Sequence, residues 1–418
     1  MAQPSANLVN FPKLNNEFGS DPEFFIVSKR YGKVLSAHRL KGLPTTYNDP
    51  SAYRAASHIK RDGPAIEFNP EATTCRDDQV PFFFHGLRRV ENILKDNELK
   101  GYTISGRCAA DLSKVSLKNA PEDVSEFGCN PDWDAYKLEE KSPICPTNMI
   151  TRFAGGHIHI GLSNYTSYPS KAYGEIISRD QLENDIEYQA DIAVLMDVLV
   201  GFPAVGILGP KYAEDERKRR EYYGTAGSFR LSKKTFEYRV LSNTAFALSP
   251  ILMSMWLGVA KFLPLFYKEK VQEMLKHINQ ILPIDEVRRV INEHDYEYVW
   301  EHFEDWLRVY PKSLHQDIPH NLAQMYNASQ EGVIWDDDIL FNWGVTSPSF
   351  SAKHHAYWGH ENGARGVLSP TIFPGKVTER VGELIEGYGF TNRGYNVDSS
   401  NSIRKHPSEE KEVKRAWS

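Results

Sequence analysis

The stretch FGSDPEFFIV, residues 18–27, decides the fold because it combines an apolar run with two acids two residues apart. Successive side chains of a β-strand point to opposite faces of a sheet. The spacing therefore predicts a strand with Asp21 and Glu23 on one face and Phe24 and Ile26 on the other. We expect the apolar face to pack on a core and the acidic face to line a site.

Three further segments repeat this division between an apolar face and a charged face. They are PAIEFN (64–69), GGHIHIGL (155–162) and TFEYRVLS (235–242). Their charged or imidazole side chains at alternate positions are Glu67, His157, His159, Glu237 and Arg239. One of the long amphipathic patterns after residue 250 predicts a single helix near residues 283–310. With these patterns, the strands predict an α+β fold, in which a curved, mainly antiparallel sheet carries helices on its convex side.

The acids of these strands predict a metal site if the strands are neighbours. Asp21, Glu23, Glu67 and Glu237, with Asp62 as a possible fifth, would then crowd into one concavity. Crowded carboxylates raise one another's pKa, and a divalent cation relieves the repulsion. Oxygen-rich sites suit Mg²⁺ or Mn²⁺ better than Zn²⁺. Each motif alone is also typical of a solvated strand face or a structural histidine.

A basic segment, RKRREYYGTAGSFR (217–230), leads directly into the last of these strands. We expect it to be a flexible loop whose arginines approach an anion, because the planar guanidinium suits phosphate and carboxylate. A solvated basic loop is the alternative.

Composition excludes several classes of protein. The 418 residues carry a net charge of −6, which gives no strong nucleic-acid signal, and the four cysteines form no CxxC pair. No secretory signal is visible, so we expect a cytoplasmic protein, in the host cytoplasm if it is of phage origin. The apolar run 192–208 is interrupted by Asp197, Gly201 and Pro203, so we expect a buried helix that ends near Gly201, followed by a short extended segment, and no membrane span.

The chain divides into four predicted sections. These are a leader (1–17), a catalytic core (18–245), a mostly helical extension packed on that core (246–397) and a flexible tail (398–418).

Six motifs, in this order, resemble the glutamine synthetase-like carboxylate-amine ligases, and among them most closely the phage-type amidoligases. The motifs are GSDPEF, DGPAIEFNP, FGCNPDWDAY, GGHIHIGL, RREYYGTAGSFR and FEYRVLSN. The resemblance covers about residues 18–245. It implies a glutamine synthetase-like fold and ATP-dependent formation of an amide bond from a carboxylate and an amine through an acyl phosphate. It specifies neither the two substrates nor the oligomeric state.

The resemblance also implies roles for individual residues, with ATP and two or three Mg²⁺ or Mn²⁺ ions. One ion would be held by Asp21, His157 and Glu237, and a second by Glu23 and Glu67 with Asp62 as a possible further ligand. His159 and Arg239 would face the ATP phosphates or the acyl phosphate. Among Arg219, Arg220 and Arg230, the last two are favoured for the transferred phosphoryl group. The resemblance does not identify the general base for the amine, and a carboxylate outside the metal ligands, Asp132 or Asp134, is the candidate. The residues with a catalytic role would be Glu67, Arg220, Arg230 and Arg239.

Other readings stay open on the sequence alone. A metal-dependent phosphotransferase shares the first half-reaction, and a non-catalytic binding protein could retain the scaffold. A metal-dependent hydrolase would need further histidines or a lysine at suitable places. A cupin-like oxygenase would need a carboxylate soon after the HxH motif, and GLSNYTSY (161–168) supplies none.

Overall fold

The computed structural model describes residues 17–346, apart from the segments 47–52, 55–56, 75, 113–116, 118, 122–123, 125–130, 143, 145–149, 162–184, 232–234, 262, 264–267, 313, 315–316, 331–336 and 344. Almost all of the predicted leader, the predicted tail and the end of the predicted extension lie outside the described residues.

The described strands fall into two six-stranded sheets and one two-stranded sheet. In chain order they are β1 (Phe18–Ser20), β2 (Glu23–Ser28), β3 (Val34–Leu35), β4 (Tyr53–Arg54), β5 (Ser57–Asp62), β6 (Ala65–Pro70), β7 (Tyr102–Ser105), β8 (Ala109–Asp111), β9 (Asp132–Asp134), β10 (Glu139–Lys141), β11 (Thr151–Phe153), β12 (Ile158–Gly161), β13 (Ser228–Leu231) and β14 (Thr235–Tyr238). The first sheet has the order β1-β12-β14-β13-β9-β10, and the second has the order β3-β2-β6-β5-β4, with β7 also paired to β2. In the two-stranded sheet β8 pairs with β11. Every described strand pair is antiparallel.

The opening stretch contributes to both sheets. Its first part is β1 of the first sheet and its last part is β2 of the second, so the chain passes between the sheets at Asp21 and Pro22. Phe24 and Ile26 are buried in the main core, whereas Phe25 is buried in a small separate cluster on the opposite side of the strand. The predicted alternation is confirmed within β2, but Asp21 lies between β1 and β2 and not on one strand with Glu23, and the four predicted strands are shared between two sheets.

Helices cover the apolar sides of the sheets. In chain order they are α1 (Arg76–Asp96), α2 (Ile186–Met196), α3 (Phe202–Arg220), α4 (Thr244–Ala247), α5 (Pro250–Ala260), α6 (Lys268–Ile281), α7 (Ile284–Glu293), α8 (Tyr296–Val309), α9 (Asp317–Gln330) and α10 (Ile339–Asn342). Helix α1 packs on the second sheet, and α2 and α5 pack on the first. The predicted α+β class is confirmed.

One hydrophobic core joins the predicted catalytic section to the helices that follow it. It extends from Phe18 to Trp343 and includes residues on both sides of position 245. The boundary at 245 stays a prediction, and the helices after it pack on the same core.

Two helix predictions are wrong in detail. The apolar run was expected to end its helix near Gly201, but a π-helical turn (Asp197–Gly201) leads straight into α3. Pro203 is compatible with this path because the carbonyl oxygen of Val198, which a proline N cannot satisfy in the π-helical pattern, accepts a hydrogen bond from Trp306 Nε1 at 2.8 Å. A single long helix was expected near residues 283–310, but His294, with φ 49°, ends α7 before α8 begins.

The stretch Ile186–Arg220 is long and apolar enough to cross a membrane by length and composition alone. Its most apolar part is wholly buried within the protein. Core helices of globular proteins have the same properties, so this stretch is weak evidence for a membrane span.

Candidate active site

A row of cross-strand partners crosses the first sheet at the candidate site. Gly19 pairs with His159, His159 with Glu237, and Glu237 with Arg230. Directly opposed residues on neighbouring strands place their Cβ atoms about 5 Å apart on one face. The other face carries Ile158, Ile160, Phe236 and Tyr238, all buried in the core. The alternation of apolar and polar residues therefore brings an imidazole, a carboxylate and a guanidinium together.

Asp21 completes a cluster that can bind a metal ion. Ligand atoms of Asp21, His159 and Glu237 all lie within 4.8 Å of one another. His159 Nε2 is 3.0 Å from Asp21 Oδ2. His157 Nδ1 is 3.2 Å from Asp21 Oδ1 and 3.3 Å from Glu237 Oε1. The structure thus brings together all three residues expected to hold the first ion, with His159 beside them.

The donor set of this cluster fits a divalent cation. Carboxylate oxygens suit Mg²⁺ and Mn²⁺, and imidazole nitrogen is accepted by Mn²⁺. Neither ring nitrogen of the buried His157 makes a hydrogen bond, despite the two carboxylates near Nδ1. A cation between these groups would satisfy Nδ1.

The electrostatics of the cluster keep its carboxylates ionised. Burial by itself raises the pKa of Asp21, but the imidazoles of His157 and His159 hold it well below its usual range. Burial likewise opposes ionisation of Glu237, yet His157, His159 and Arg239 lower its pKa. The cluster therefore holds two ionised carboxylates close to one another.

Two arginines hold Glu237 from different sides. Arg239 Nη1 donates to Glu237 Oε1 at 2.5 Å, and Arg230 Nε donates to Glu237 Oε2 at 2.8 Å. Arg239 is buried and also pairs with Asp132, at 2.8 Å from Nε to Oδ1. Arg230 is partly exposed. Arg230 can therefore reach a bound phosphate, whereas Arg239 orients Glu237 from within the protein.

A second row of partners crosses the second sheet. Glu23 pairs with Glu67, and Glu67 pairs with Lys60. Burial, followed by the charges of Asp62 and Glu67, raises the pKa of Glu23 well above its usual range. The structure therefore gathers Glu23, Asp62 and Glu67 as the sequence predicts. It also places Lys60 among them, which the sequence reading missed although Lys60 lies two residues before Asp62 on the same strand face.

The short segment between β11 and β12 ties the two rows together. Glu23 N donates to Gly155 O at 3.0 Å, and Gly155 N donates to Glu23 Oε2 at 3.1 Å. His157 N donates to Asp21 Oδ1 at 3.2 Å. A Cβ on Gly156 would lie 2.5 Å from the carbonyl oxygen of Ser242. Glycine at position 156 is therefore required by close backbone packing beside the site.

The structure does not bring Arg219 or Arg220 to the phosphate-binding region. The prediction of a flexible loop is wrong for the first four residues of this segment. The last turn of α3 contains Arg217, Lys218, Arg219 and Arg220. Arg219 is fully buried and donates to the carbonyl oxygens of residues 239, 240 and 241 at 3.2, 3.0 and 2.7 Å. Arg220 Nη1 pairs with the buried Glu216 at 2.7 Å. Both guanidinium groups thus stabilise the protein interior.

The two aspartates considered for the general base are engaged elsewhere. Asp132 is buried against Arg239, and burial raises its pKa in spite of that charge. Asp134 is buried and accepts a hydrogen bond from the backbone N–H of Tyr136 at 2.9 Å. We therefore assign neither residue to proton transfer.

Comparisons with known proteins leave the family open. No protein-family model and no curated protein matches the chain. A bifunctional glutathione synthetase from Pasteurella multocida is 11% identical in sequence and superposes with a TM-score of 0.37. The matched region covers 88% of this chain and 52% of the synthetase chain. This chain thus spans about half the length of that structure. A glutamate-cysteine ligase from Francisella tularensis, solved in complex with AMP, is 11% identical with a TM-score of 0.35, covering 91% of this chain and 95% of that one. Similarity this low carries no functional argument, so a function must be argued from the side chains.

Proposed function

We propose that this protein is an ATP-dependent carboxylate-amine ligase that forms an amide bond through an acyl phosphate. One observation carries the proposal: the cation-binding cluster of Asp21, His157, His159 and Glu237 lies directly beside Arg230 and Arg239. Phosphoryl transfer depends mainly on positioning and charge neutralisation, which divalent ions and arginines supply.

Each group of the first row has a role in this proposal. Asp21, Glu237 and an imidazole would hold Mg²⁺ or Mn²⁺, which would neutralise charge on the ATP phosphates. Arg230 and His159 are partly exposed at the cluster and contact the phosphoryl group that is transferred. Arg239 keeps the Glu237 carboxylate in place through its short hydrogen bond and is itself fixed by Asp132.

The proposed reaction has two steps. An oxygen of the carboxylate substrate attacks the γ-phosphorus of ATP, and the bond from that phosphorus to ADP breaks. The amine nitrogen then attacks the acyl carbon, the carbon–oxygen bond to phosphate breaks, and the nitrogen loses a proton. The products are an amide, ADP and inorganic phosphate. The substrates are defined only by class, a carboxylic acid and an amine.

The test is ADP release by the purified full chain with Mg²⁺ or Mn²⁺, screened over pools of carboxylic acids and amines. We expect release to require one member of each pool and to fall with Glu237→Gln. Glu273→Gln is the matched control, because Glu273 is exposed on α6 and pairs only with Lys270 among the ion pairs of the described residues.

The outcomes separate the proposal from its alternatives. Release that requires a single phosphoryl acceptor and no amine would favour a phosphotransferase on the same site. If neither nucleotide nor metal binds, and Glu237→Gln changes nothing, a non-catalytic binding protein is the better description.

A further inference from the structure

Lys60 occupies a defined place in the second row of charged residues. In the strand register, Lys60 lies directly opposite Glu67, and Glu67 lies directly opposite Glu23 on its other side. Asp62 lies two residues after Lys60 on β5 and therefore on the same face. The pairing of β2, β6 and β5 thus fixes an ammonium group among three carboxylates.

The contacts of Lys60 confirm this placement. Its Nζ is in direct ion-pair contact with Glu67 Oε2 and lies 3.8 Å from Asp62 Oδ1. The Lys60 and Glu67 side chains are only 18% and 12% exposed, so solvent screens this pair weakly.

A second divalent ion would compete with this ammonium for the same oxygen. Mg²⁺ binds carboxylate oxygens at about 2.1 Å and requires near-octahedral geometry. The ammonium lies between Glu67 Oε2 and Asp62 Oδ1, where an ion shared by these two acids would sit, and its charge repels another cation at short range. In the first row arginines hold Glu237, but Asp21 has no lysine or arginine partner among the ion pairs of the described residues. Among the residues that the structure describes, the group whose ligand atoms converge at metal-binding distances is Asp21, His159 and Glu237. The acids of the second row are not part of it.

We infer that Lys60 is a built-in cation that replaces the second divalent ion, so that the site holds one divalent ion at the first row and the Lys60 ammonium at the second. This inference rests on the proposed function for the ion at Asp21 and Glu237. It assigns to Lys60 the positive charge that the resemblance gives to a second ion at Glu23 and Glu67.

The experiment is a titration of the full chain with Mn²⁺ alone, with free Mn²⁺ measured by electron paramagnetic resonance. We expect one tightly bound Mn²⁺ per chain. Lys60→Met keeps most of the aliphatic length of the side chain and removes its charge. We expect this variant to bind two Mn²⁺ ions per chain. Lys60→Arg should bind one, as should Lys95→Met, a control at an exposed lysine of α1.

A second pair of variants keeps the test decisive if Lys60→Met does not fold. Glu237→Gln should abolish the single tight site, whereas Glu23→Gln should leave the stoichiometry at one. Two tight ions in the unaltered chain, or one ion in folded Lys60→Met, would overturn the inference while leaving the proposed function intact. Absence of any Mn²⁺ binding would overturn both.

Discussion

Replacing Arg219 by methionine tests whether this arginine supports the site from within the protein or binds phosphate. Its guanidinium donates three hydrogen bonds to the consecutive carbonyl oxygens of residues 239, 240 and 241. A buried polar group left without its partner costs about 1 to 3 kcal/mol. Three such acceptors, partly relieved by local relaxation, predict a loss of about 3 to 5 kcal/mol in the free energy of unfolding, similar to the effect of breaking a buried ion pair.

The assay is urea unfolding of Arg219→Met beside Arg217→Met. Arg217 lies on the same helix but is exposed, and the hydrogen bond from its Nε to Glu293 O is at the surface. We expect Arg217→Met to change the free energy of unfolding by less than about 1 kcal/mol. Unchanged stability of Arg219→Met, combined with a large loss of ATP affinity, would refute the structural role and restore the phosphate-binding role.

Three further predictions address catalysis, pH dependence and backbone packing. Arg230→Lys keeps the charge but loses the planar guanidinium that contacts Glu237. We expect the rate of ADP release to fall on the order of 10²-fold, with little change in the midpoint of urea unfolding. An unchanged rate would exclude Arg230 from phosphoryl transfer. Burial holds the pKa of His294 at about 4, so the unfolded chain gains a proton below about pH 6.5 and the folded chain does not. The free energy of unfolding should therefore fall by about 2 to 3 kcal/mol between pH 7 and pH 4.5, and a His294→Asn chain with the same pH slope would contradict this. Gly156→Ala should lower the free energy of unfolding by more than about 1 kcal/mol and weaken Mn²⁺ binding, because the added methyl group would meet the carbonyl oxygen of Ser242. If both quantities stay at their wild-type values, the backbone can move at this position.

Alternation along strands made much of the site predictable. A period of two places His159 and Glu237 on the face opposite Ile158 and Tyr238, and the register confirms both sets. The same rule predicts that the side chains of the two acids in the opening stretch point away from the core. The sequence does not show which strands pair, so the division of the charged positions between two sheets could not be predicted from these patterns.

Helix ends and ion-pair partners were harder to predict. Arg217, Lys218, Arg219 and Arg220 resemble a basic loop in sequence, but α3 continues to Arg220 and buries its last two arginines against backbone carbonyls and Glu216. Tertiary packing decided that outcome. Lys60 was missed for a related reason, since one lysine on a polar strand face carries no signal until its neighbour across the sheet is known.

The passage of the chain between the two sheets also limits which sequence changes the protein can tolerate. Asp21 is fixed to His157, and Glu23 is fixed to Gly155, on either side of Pro22. One residue inserted between these two attachment points would turn each later side chain of β2 to the opposite face of its sheet. Glu23 would then leave its place opposite Glu67, and the core phenylalanines would change sides with it. We therefore expect this connection to accept changes of residue type more readily than any change of length.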